Sequence, residues 1–126
     1  MFGADDKHTI GFRDSRMLPG ERFIAHLTGW HGDDVPITTS GHGAGAIILT
    51  DSRLCFFRRG TFGDLFFEAH LQAIHRVETR LVHGHRRFHL HTTTKVEVFK
   101  TFSDEQNFGL FLNEVDAYRL GRKLAA

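Results

Sequence analysis

Two apolar runs, separated by a short polar link, stand at the centre of the chain. Residues 46–49 read Ala-Ile-Ile-Leu and residues 54–57 read Leu-Cys-Phe-Phe, while the link between them reads Thr-Asp-Ser-Arg. Short runs rich in β-branched and aromatic residues, bounded by polar turn residues, are typical of β-strands. The pattern therefore predicts a β-hairpin whose turn lies at residues 50–53.

Weaker patterns predict more strands before and after this hairpin. Residues 22–30 alternate between two faces, with Phe23, Ala25 and Leu27 on the same side of the strand. Further strands are predicted at residues 64–71, 74–82, 86–91 and 95–102. A series of short strands joined by turns favours an antiparallel sandwich or barrel.

The last two strands also predict a register. Phe88 and Leu90 are expected to face the core, together with two valines of the strand that follows. A three-residue loop pairs Leu90 with Val96. The same register pairs Phe88 with Val98, so that all four apolar side chains share one face. A two-residue loop would set Leu90 against Glu97 and is therefore disfavoured.

One segment near the C-terminal end has the period of an amphipathic helix. Its apolar stripe follows helical spacing and consists of Phe108, Phe111, Leu112 and Val115. Ser103 and Gln106 have capping-box spacing, which predicts that the helix begins at Ser103. Gly121 predicts the position at which the helix ends.

These elements predict a mainly β fold, a half-open β-barrel of about seven antiparallel strands capped by one C-terminal α-helix. A chain of 126 residues is long enough for one domain with its own core. Residues 1–17 are weakly patterned, so we treat them as an N-terminal segment and assign residues 18–126 to the domain.

Composition and charge restrict the functional classes. The formal net charge is +1 with the ten histidines neutral, which is too balanced to favour a nucleic-acid partner. Cys55 is the single cysteine, so no intrachain disulfide can form and a reducing compartment is expected. The N-terminus carries no apolar leader, and no run reaches the ~20 apolar residues of a membrane span. We therefore expect a cytoplasmic protein.

Short motifs within residues 18–120 bear on the family. They are Leu18-Pro19-Gly20-Glu21 before the first strand, Leu49-Thr50-Asp51-Ser52-Arg53-Leu54 across the central hairpin, and Ile74 with Val77 after a polar step. With the closing helix, they resemble those of bacterial pleckstrin-homology-like (PH-like) domains of the YokE-like kind, relatives of GRAM domains. The resemblance implies two packed antiparallel sheets with seven strands and one helix. It also implies a binding or scaffolding module that is not an enzyme and needs no cofactor.

Cationic side chains late in the chain predict an anion-binding patch. The patch consists of Arg80, His83, His85, Arg86 and Arg87, and a second, smaller patch consists of Arg58 and Arg59. Phosphate recognition favours arginine or lysine donors. Inositol-phosphate-binding PH domains carry such donors on their first two strands and intervening loop, but here that loop offers Asp33 and Asp34 instead. We expect weak contact with anionic membranes and no inositol phosphate at that loop.

A glycine-rich segment at residues 41–45 looks at first like a phosphate-binding loop. Phosphate-binding glycine loops open a helix, whose N-terminus faces the anion. This segment precedes a predicted strand, so we interpret it as a flexible loop.

Histidines at alternate positions raise a second function. His89 and His91 share one face of a predicted strand, and Glu97 lies opposite His89 in the register given above. Two histidines and a carboxylate can ligate Zn²⁺. The alternative function is therefore a metal-binding, cupin-like barrel enzyme that uses a His-x-His motif. A solvated outer sheet face carries the same residue types, and we give that interpretation more weight.

Two phenylalanine pairs predict aromatic surface outside the core. Phe56 and Phe57 lie on one strand and Phe66 and Phe67 on the next, and adjacent strand residues face opposite sides. One ring of each pair must therefore point outward. We interpret the two outer rings as an interface for a homo-oligomer or a protein partner. The competing interpretation is that the N-terminal segment covers them, with Phe12 among the covering residues.

Overall fold

The fold is one antiparallel sheet of seven strands with a helix on each face, in a computed structural model that describes residues 6–38 and 40–121. The strands are β1 (Phe23–His31), β2 (Gly45–Thr50), β3 (Arg53–Arg58), β4 (Leu65–His70), β5 (Ile74–Val82), β6 (His85–Thr92) and β7 (Val96–Thr101). The helices are α1 (Lys7–Ser15) and α2 (Glu105–Arg119), and a short 3₁₀ helix (Leu71–Ala73) joins β4 to β5.

The strand order is β4-β3-β2-β1-β7-β6-β5, so β4 and β5 are the edges and the sheet is not closed into a barrel. The mainly β composition, the seven antiparallel strands and the C-terminal helix confirm the predicted fold class, and the open sheet is consistent with the predicted half-open form. The strands form one continuous sheet and not the two sheets that the resemblance implies. The central hairpin is confirmed as well, because β2 and β3 pair from Ala46 opposite Phe57 to Leu49 opposite Leu54.

The inner face of the sheet packs against α2. The predicted stripe of that helix supplies Phe108, Phe111 and Val115 to the core, and Leu112 packs beside them. From the sheet, the buried side chains are Ala25, Leu27, Ile47, Leu49, Leu54, Phe56, Ala69, Ile74, Phe88, Leu90 and Phe99. The helix therefore covers the inner face of the sheet with its apolar stripe, as its spacing predicts.

The ends of α2 are set by two capping residues. Asp104 is the N-cap, and its carboxylate accepts a hydrogen bond from the backbone N–H of Asn107 at 2.8 Å. The predicted first residue, Ser103, instead accepts a hydrogen bond from the hydroxyl of Thr101. Gly121 follows the helix with a φ of +72°, which confirms the predicted stop. Within the described residues, neither helix is long and apolar enough to cross a membrane.

The outer face of β2 and β3 packs against α1. Phe12 is fully buried there, in a second core with Ile48, Cys55 and Phe57. Gly11 permits the close approach, because a Cβ at this position would lie 2.9 Å from the ring of Phe57. The weakly patterned N-terminal segment thus contributes a helix whose Phe12, with Met17 beside it, completes a second core.

A β-bulge in β1 changes the predicted face of Phe23. The register of β1 on β2 shifts between Phe23 and Ala25. Phe23 consequently packs against the outer core, whereas Ala25 and Leu27 lie in the inner core. The prediction that all three share one face is wrong for Phe23, because an extra residue in one strand reverses the alternation.

The register of the last hairpin also differs from the prediction. Leu90 lies opposite Glu97, and Phe88 lies opposite Phe99. The loop is a two-residue one, closed by a hydrogen bond of 2.9 Å from the N–H of Thr92 to the carbonyl of Lys95. The predicted pairs with Val96 and Val98 are therefore wrong by one residue.

This one-residue shift exchanges the two faces of β7. Phe99 takes the inner position and is fully buried, while Val96 is 47% exposed. Val98 lies opposite His89 on the outer face. The register places a carboxylate, Glu97, on the inner face, where it finds a hydrogen-bonding partner.

Candidate anion-binding site

The larger predicted cationic patch is divided between the two faces of the sheet. His85 and Arg87 alternate with the core residues of β6 and lie on the outer face, and Arg80 lies opposite Arg87. Arg86 lies on the inner face, where its guanidinium carbon is 5.7 Å from the centre of an aromatic ring of α2. His83 occupies the β5–β6 turn with a φ of +48°. These five residues do not form a single site.

The outer-face cations are largely paired within the chain. Nη1 of Arg87 lies 3.3 Å from a carboxylate oxygen of Asp33. Nε of Arg87 donates a hydrogen bond of 3.1 Å to Nε2 of His85. The β1–β2 loop folds back over this face, and the ammonium of Lys100 donates to the carbonyls of Asp33 and Val35 at 2.8 and 2.7 Å. The acidic loop therefore neutralises this face instead of leaving it open to anions.

The histidines of β6 add little charge to this face at neutral pH. Burial, followed by the charge of Arg87, lowers the pKa of His85 below its usual range. Burial, followed by the charge of Arg80, does the same to the pKa of His89. Both imidazoles are therefore expected to be neutral where the arginines beside them are charged.

The metal site predicted at His89, His91 and Glu97 is not assembled. The two histidines lie on the outer face, whereas Glu97 lies on the inner face because of the two-residue loop. The carboxylate that meets His91 is that of Glu78 on β5, which forms a hydrogen bond with Nε2 of the imidazole. Among residues 6–38 and 40–121, no three His, Cys, Asp or Glu side chains are placed to hold a metal ion.

Glu97 instead pairs with His31 on the inner face. One of its oxygens lies 2.8 Å from Nε2 of His31, and the other accepts a hydrogen bond from Lys95 at 2.9 Å. The His31 ring lies between Phe67 and Phe99, with centroid distances of 4.4 and 4.7 Å. Burial would raise the pKa of Glu97, but the hydrogen bonds from Lys95 and His31 lower it. This pair ties β1 to the start of β7.

The four phenylalanines assigned to an interface are divided between the two cores. Phe56 and Phe67 lie opposite each other towards the inner core, and Phe57 and Phe66 lie opposite each other towards the outer core. The ring of Phe12 covers the outer pair, at centroid distances of 6.3 Å from Phe57 and 6.4 Å from Phe66. The two outer rings are adjacent, as predicted, but α1 rather than a second molecule covers them.

A cationic cavity of about 560 Å³ lies where α1 begins, with the β1–β2 loop and the β3–β4 turn as its other walls. The basic side chains that line it are Lys7, His8, His42, Arg58 and Arg59. The rest of the lining is small or neutral and includes Thr28, Gly41, Gly43, Ala44, Gly60 and Thr61. The smaller of the two predicted cationic patches therefore belongs to a concave site.

The described lining of this cavity carries little negative charge, and its carboxylate already accepts hydrogen bonds from the first turn of α1. Asp6 is the one carboxylate among the described residues that line it. Its side chain caps α1, accepting two backbone N–H hydrogen bonds of 2.9 Å from the first turn. Outside the lining, Asp64 lies 3.7 Å from Nε of Arg59. Three permanent cations thus line the cavity with one carboxylate, Asp6, and one of the three, Arg59, also has Asp64 beside it.

His8 connects α1 to the β3–β4 turn and forms part of the cavity wall. Its Nδ1 accepts a hydrogen bond of 3.0 Å from the backbone N–H of Arg59, which requires that nitrogen to be unprotonated. Burial lowers the pKa of His8, and the charges of Lys7 and Arg58 add to this effect, while Asp6 opposes it. His8 therefore supports the site at neutral pH as a neutral imidazole.

Sequence reasoning found only part of this lining. Arg58 and Arg59 were recognisable as an adjacent pair, but Lys7 lies in the segment that showed little pattern. The glycine-rich segment predicts only a flexible loop, because it precedes a strand, but residues 41–44 form one wall of the cavity. No local signal joins these three segments, because only the docking of α1 on the sheet brings them together.

Comparisons with known proteins assign the chain to no family. No protein-family model matches the chain, and no curated protein matches it.

Proposed function

We propose that this chain is a non-catalytic binding module that holds an anionic group of the phosphate class in the cavity beside α1. The observation that carries the proposal is the grouping of Lys7, Arg58 and Arg59 around one cavity whose single described carboxylate is engaged in a helix cap. Arginine and lysine are the side chains that recognise phosphate. The volume of about 560 Å³ falls within the range of roughly 300–1,000 Å³ that is typical of small-molecule sites.

The architecture supports a binding role as well. The cavity is built from one helix end, one loop and one turn that a rigid sheet holds in place, which is how many binding sites are organised. Membership of the PH-like class is part of the proposal and is supported by the short motifs and by the half-open sheet. The single cysteine, Cys55, is buried and free, which favours a cytoplasmic location.

The other functions predicted from sequence have less support. A cupin-like enzyme needs His89, His91 and Glu97 at one metal, and they lie on opposite faces of the sheet. Self-association through Phe57 and Phe66 would require α1 to leave the outer core. A homo-oligomer that uses another surface is compatible with the proposed anion site.

Isothermal titration calorimetry with inorganic pyrophosphate tests the proposal. We expect the wild-type chain to bind and Arg58→Gln to bind about tenfold more weakly, because a charge-assisted hydrogen bond contributes roughly 1.5–3 kcal/mol. Arg80→Gln is the matched control, since it removes an arginine from the outer sheet face and should leave binding unchanged. A wild-type chain that does not bind, or variants that lose affinity equally, would contradict the proposal.

A further inference from the structure

Another cavity, of about 320 Å³, lies beside the edge strand β4. The short 3₁₀ helix and the β6–β7 loop form its other walls, and no residue of its described lining also lines the cationic cavity. The apolar part of the lining consists of Phe67, Ala69 and Ala73. The volume lies at the lower end of the range of roughly 300–1,000 Å³ that is typical of small-molecule sites.

Glu97 gives this cavity a carboxylate that water reaches only in part. The side chain lines the cavity and is 12% exposed. Nε2 of His31 lies 2.8 Å from one of its oxygens, and the His31 ring lies 4.4 Å, centroid to centroid, from the ring of Phe67. His31 thus connects the carboxylate to the aromatic wall. Organic ammonium groups bind where a carboxylate and an aromatic ring lie close together.

The other oxygen of Glu97 is held by an ammonium on an exposed side chain. Nζ of Lys95 lies 2.9 Å from this oxygen, and the lysine side chain is 65% exposed. The backbone of Lys95 is fixed, because its carbonyl accepts hydrogen bonds from the N–H and the hydroxyl of Thr92 at 2.9 and 3.0 Å. Ion pairs of exposed lysines contribute little to stability, so another ammonium can replace this one at small cost.

The charges of the lining favour a cation over an anion. Glu68 adds a second carboxylate, which is 43% exposed and lies 3.6 Å from Nη1 of Arg53 and 3.7 Å from Nε2 of His70. Lys95 is the one lysine or arginine in the described lining. Once its ammonium leaves Glu97, no other permanent cation of the described lining remains to attract an anion.

We propose that this cavity binds a small organic amine, whose ammonium replaces that of Lys95 on Glu97 and whose apolar part lies against Phe67, Ala69 and Ala73. Lys95 is then a tethered substitute for the ligand ammonium, and His31 is a positioning residue that holds the carboxylate. The amine site is independent of the proposed anion site, because the two cavities share no described residue.

Isothermal titration calorimetry of the full chain with phenethylamine tests the proposal. The neutral analogue is 2-phenylethanol, in which a hydroxyl replaces the ammonium. We expect the amine to bind, and we expect the alcohol to bind about tenfold more weakly because it lacks the charge-assisted hydrogen bond to Glu97. Equal affinities for the two compounds would overturn the recognition of an ammonium.

Lys95→Met separates a tethered substitute from a merely structural lysine. It keeps an unbranched side chain and removes the competing ammonium, so phenethylamine should bind about threefold more tightly than to the wild type. The matched control is Arg76→Met, which removes a cation of 64% exposure that does not line the cavity and should leave affinity unchanged. If Lys95→Met binds the amine no more tightly than Arg76→Met does, the proposed exchange is wrong.

Glu97→Gln tests the carboxylate itself. The amide oxygen can still accept a hydrogen bond from His31, but phenethylamine should bind about tenfold more weakly, while 2-phenylethanol should bind as it does to the wild type. An unchanged affinity for the amine would overturn the role of Glu97. Circular dichroism checks that the variant is folded, and Lys95→Met, at an exposed position, decides the question if it is not.

Amide chemical shifts locate the bound amine independently of affinity. In wild-type protein titrated with phenethylamine, the largest changes should fall on residues 67–70 and 92–97. Changes centred instead on residues 58–61, which belong to the cationic cavity, would overturn the assignment, as would the absence of binding by both the wild type and Lys95→Met.

Discussion

The guanidinium of Arg53 and the carboxylate of Glu21 form a bidentate ion pair beside the central hairpin turn, and each side chain is 2% exposed. Nε donates to one oxygen at 2.7 Å, and Nη2 donates to the other at 2.6 Å. Nη2 also donates to the backbone carbonyl of Arg16 at 3.0 Å. The pair therefore joins the end of α1, the turn before β1 and the central hairpin at one point.

This ion pair predicts a large effect of a single isosteric change. Glu21→Gln should lower the free energy of unfolding by about 3 kcal/mol, because it leaves a buried guanidinium without its counter-charge. Urea denaturation measures the change. Asp14→Asn, at an exposed position of α1, is the control and should stay within about 0.5 kcal/mol of the wild type. Equal stability of Glu21→Gln and the wild type would show that the pair does not stabilise the fold.

Glu21 also predicts a specific response to acid. Burial would raise its pKa, but the hydrogen bonds it accepts lower the pKa from 4.5 to about 2; the donors are Arg53, the Leu18 backbone, Thr50 and Ser52. Because the folded pKa lies below the unfolded one, the stabilisation is present above about pH 4.5 and is lost as pH falls towards 2. Unfolding free energies in this window should fall more steeply for the wild type than for Glu21→Gln.

The outer core predicts that Phe12 is both a stabilising and a covering residue. Phe12→Ala should cost about 3–5 kcal/mol in urea denaturation, as is usual for a buried phenylalanine. It should also expose Phe57 and Phe66, so that sedimentation equilibrium detects association of the variant at concentrations where the wild type is monomeric. Ile10→Ala, on the exposed side of the same helix, should change neither property. A wild type that associates as strongly as the variant would contradict the covering role.

Cys55 predicts a thiol that is inert in the folded state. The side chain is fully buried in the outer core, and burial raises its pKa to about 12. Thiolate is the reactive form, so very little of it is present at neutral pH. A thiol-specific reagent should label Cys55 quickly in guanidinium chloride and only on the timescale of unfolding in buffer. Fast labelling of the native protein would show that α1 opens readily.

The neutral histidines of β6 predict lower stability in mild acid. Burial lowers the folded pKa of His85 and of His89, so the unfolded chain binds protons more readily. The two histidines therefore contribute fully to the free energy of unfolding above the unfolded pKa of about 6.5, and this contribution is lost as pH falls below it. The melting temperature should be lower near pH 5.5 than near pH 7.5, and the difference should narrow in His89→Gln. An equal difference in both proteins would show that His89 does not contribute.

Local signals predicted most of the fold. The central hairpin was predictable because its apolar runs and its turn residues lie within one short segment, and the stripe on α2 was predictable for the same reason. Two details were not. The bulge beside Phe23 leaves no local mark, and the last hairpin follows the pairing of Glu97 with His31, which is distant in the chain. The alternation of apolar residues does not predict that the carboxylate of Glu97 lies on the inner face, because its hydrogen-bonding partner, His31, is far away in the sequence.

The candidate site was less predictable than the fold. Arg58 and Arg59 were visible as neighbours, but Lys7 and His42 join them only because α1 docks on the sheet. The ion pair is a similar case. Glu21 and Arg53 each belong to one of the short motifs that suggested a PH-like domain, although neither motif indicates that the two side chains meet. Contacts between distant segments carried the information that local patterns lacked.

The central hairpin is buried on both of its faces, along all of β2 and nearly all of β3. Neither side of these two strands faces water, because their side chains alternate between the inner core, which includes α2, and the outer core, which includes α1. Detaching either helix exposes a continuous apolar surface, so the molecule has no stable half to which it could unfold. Amide hydrogens of β2 and β3 should therefore exchange with solvent only when the whole chain opens, which makes this hairpin the slowest-exchanging unit of the fold.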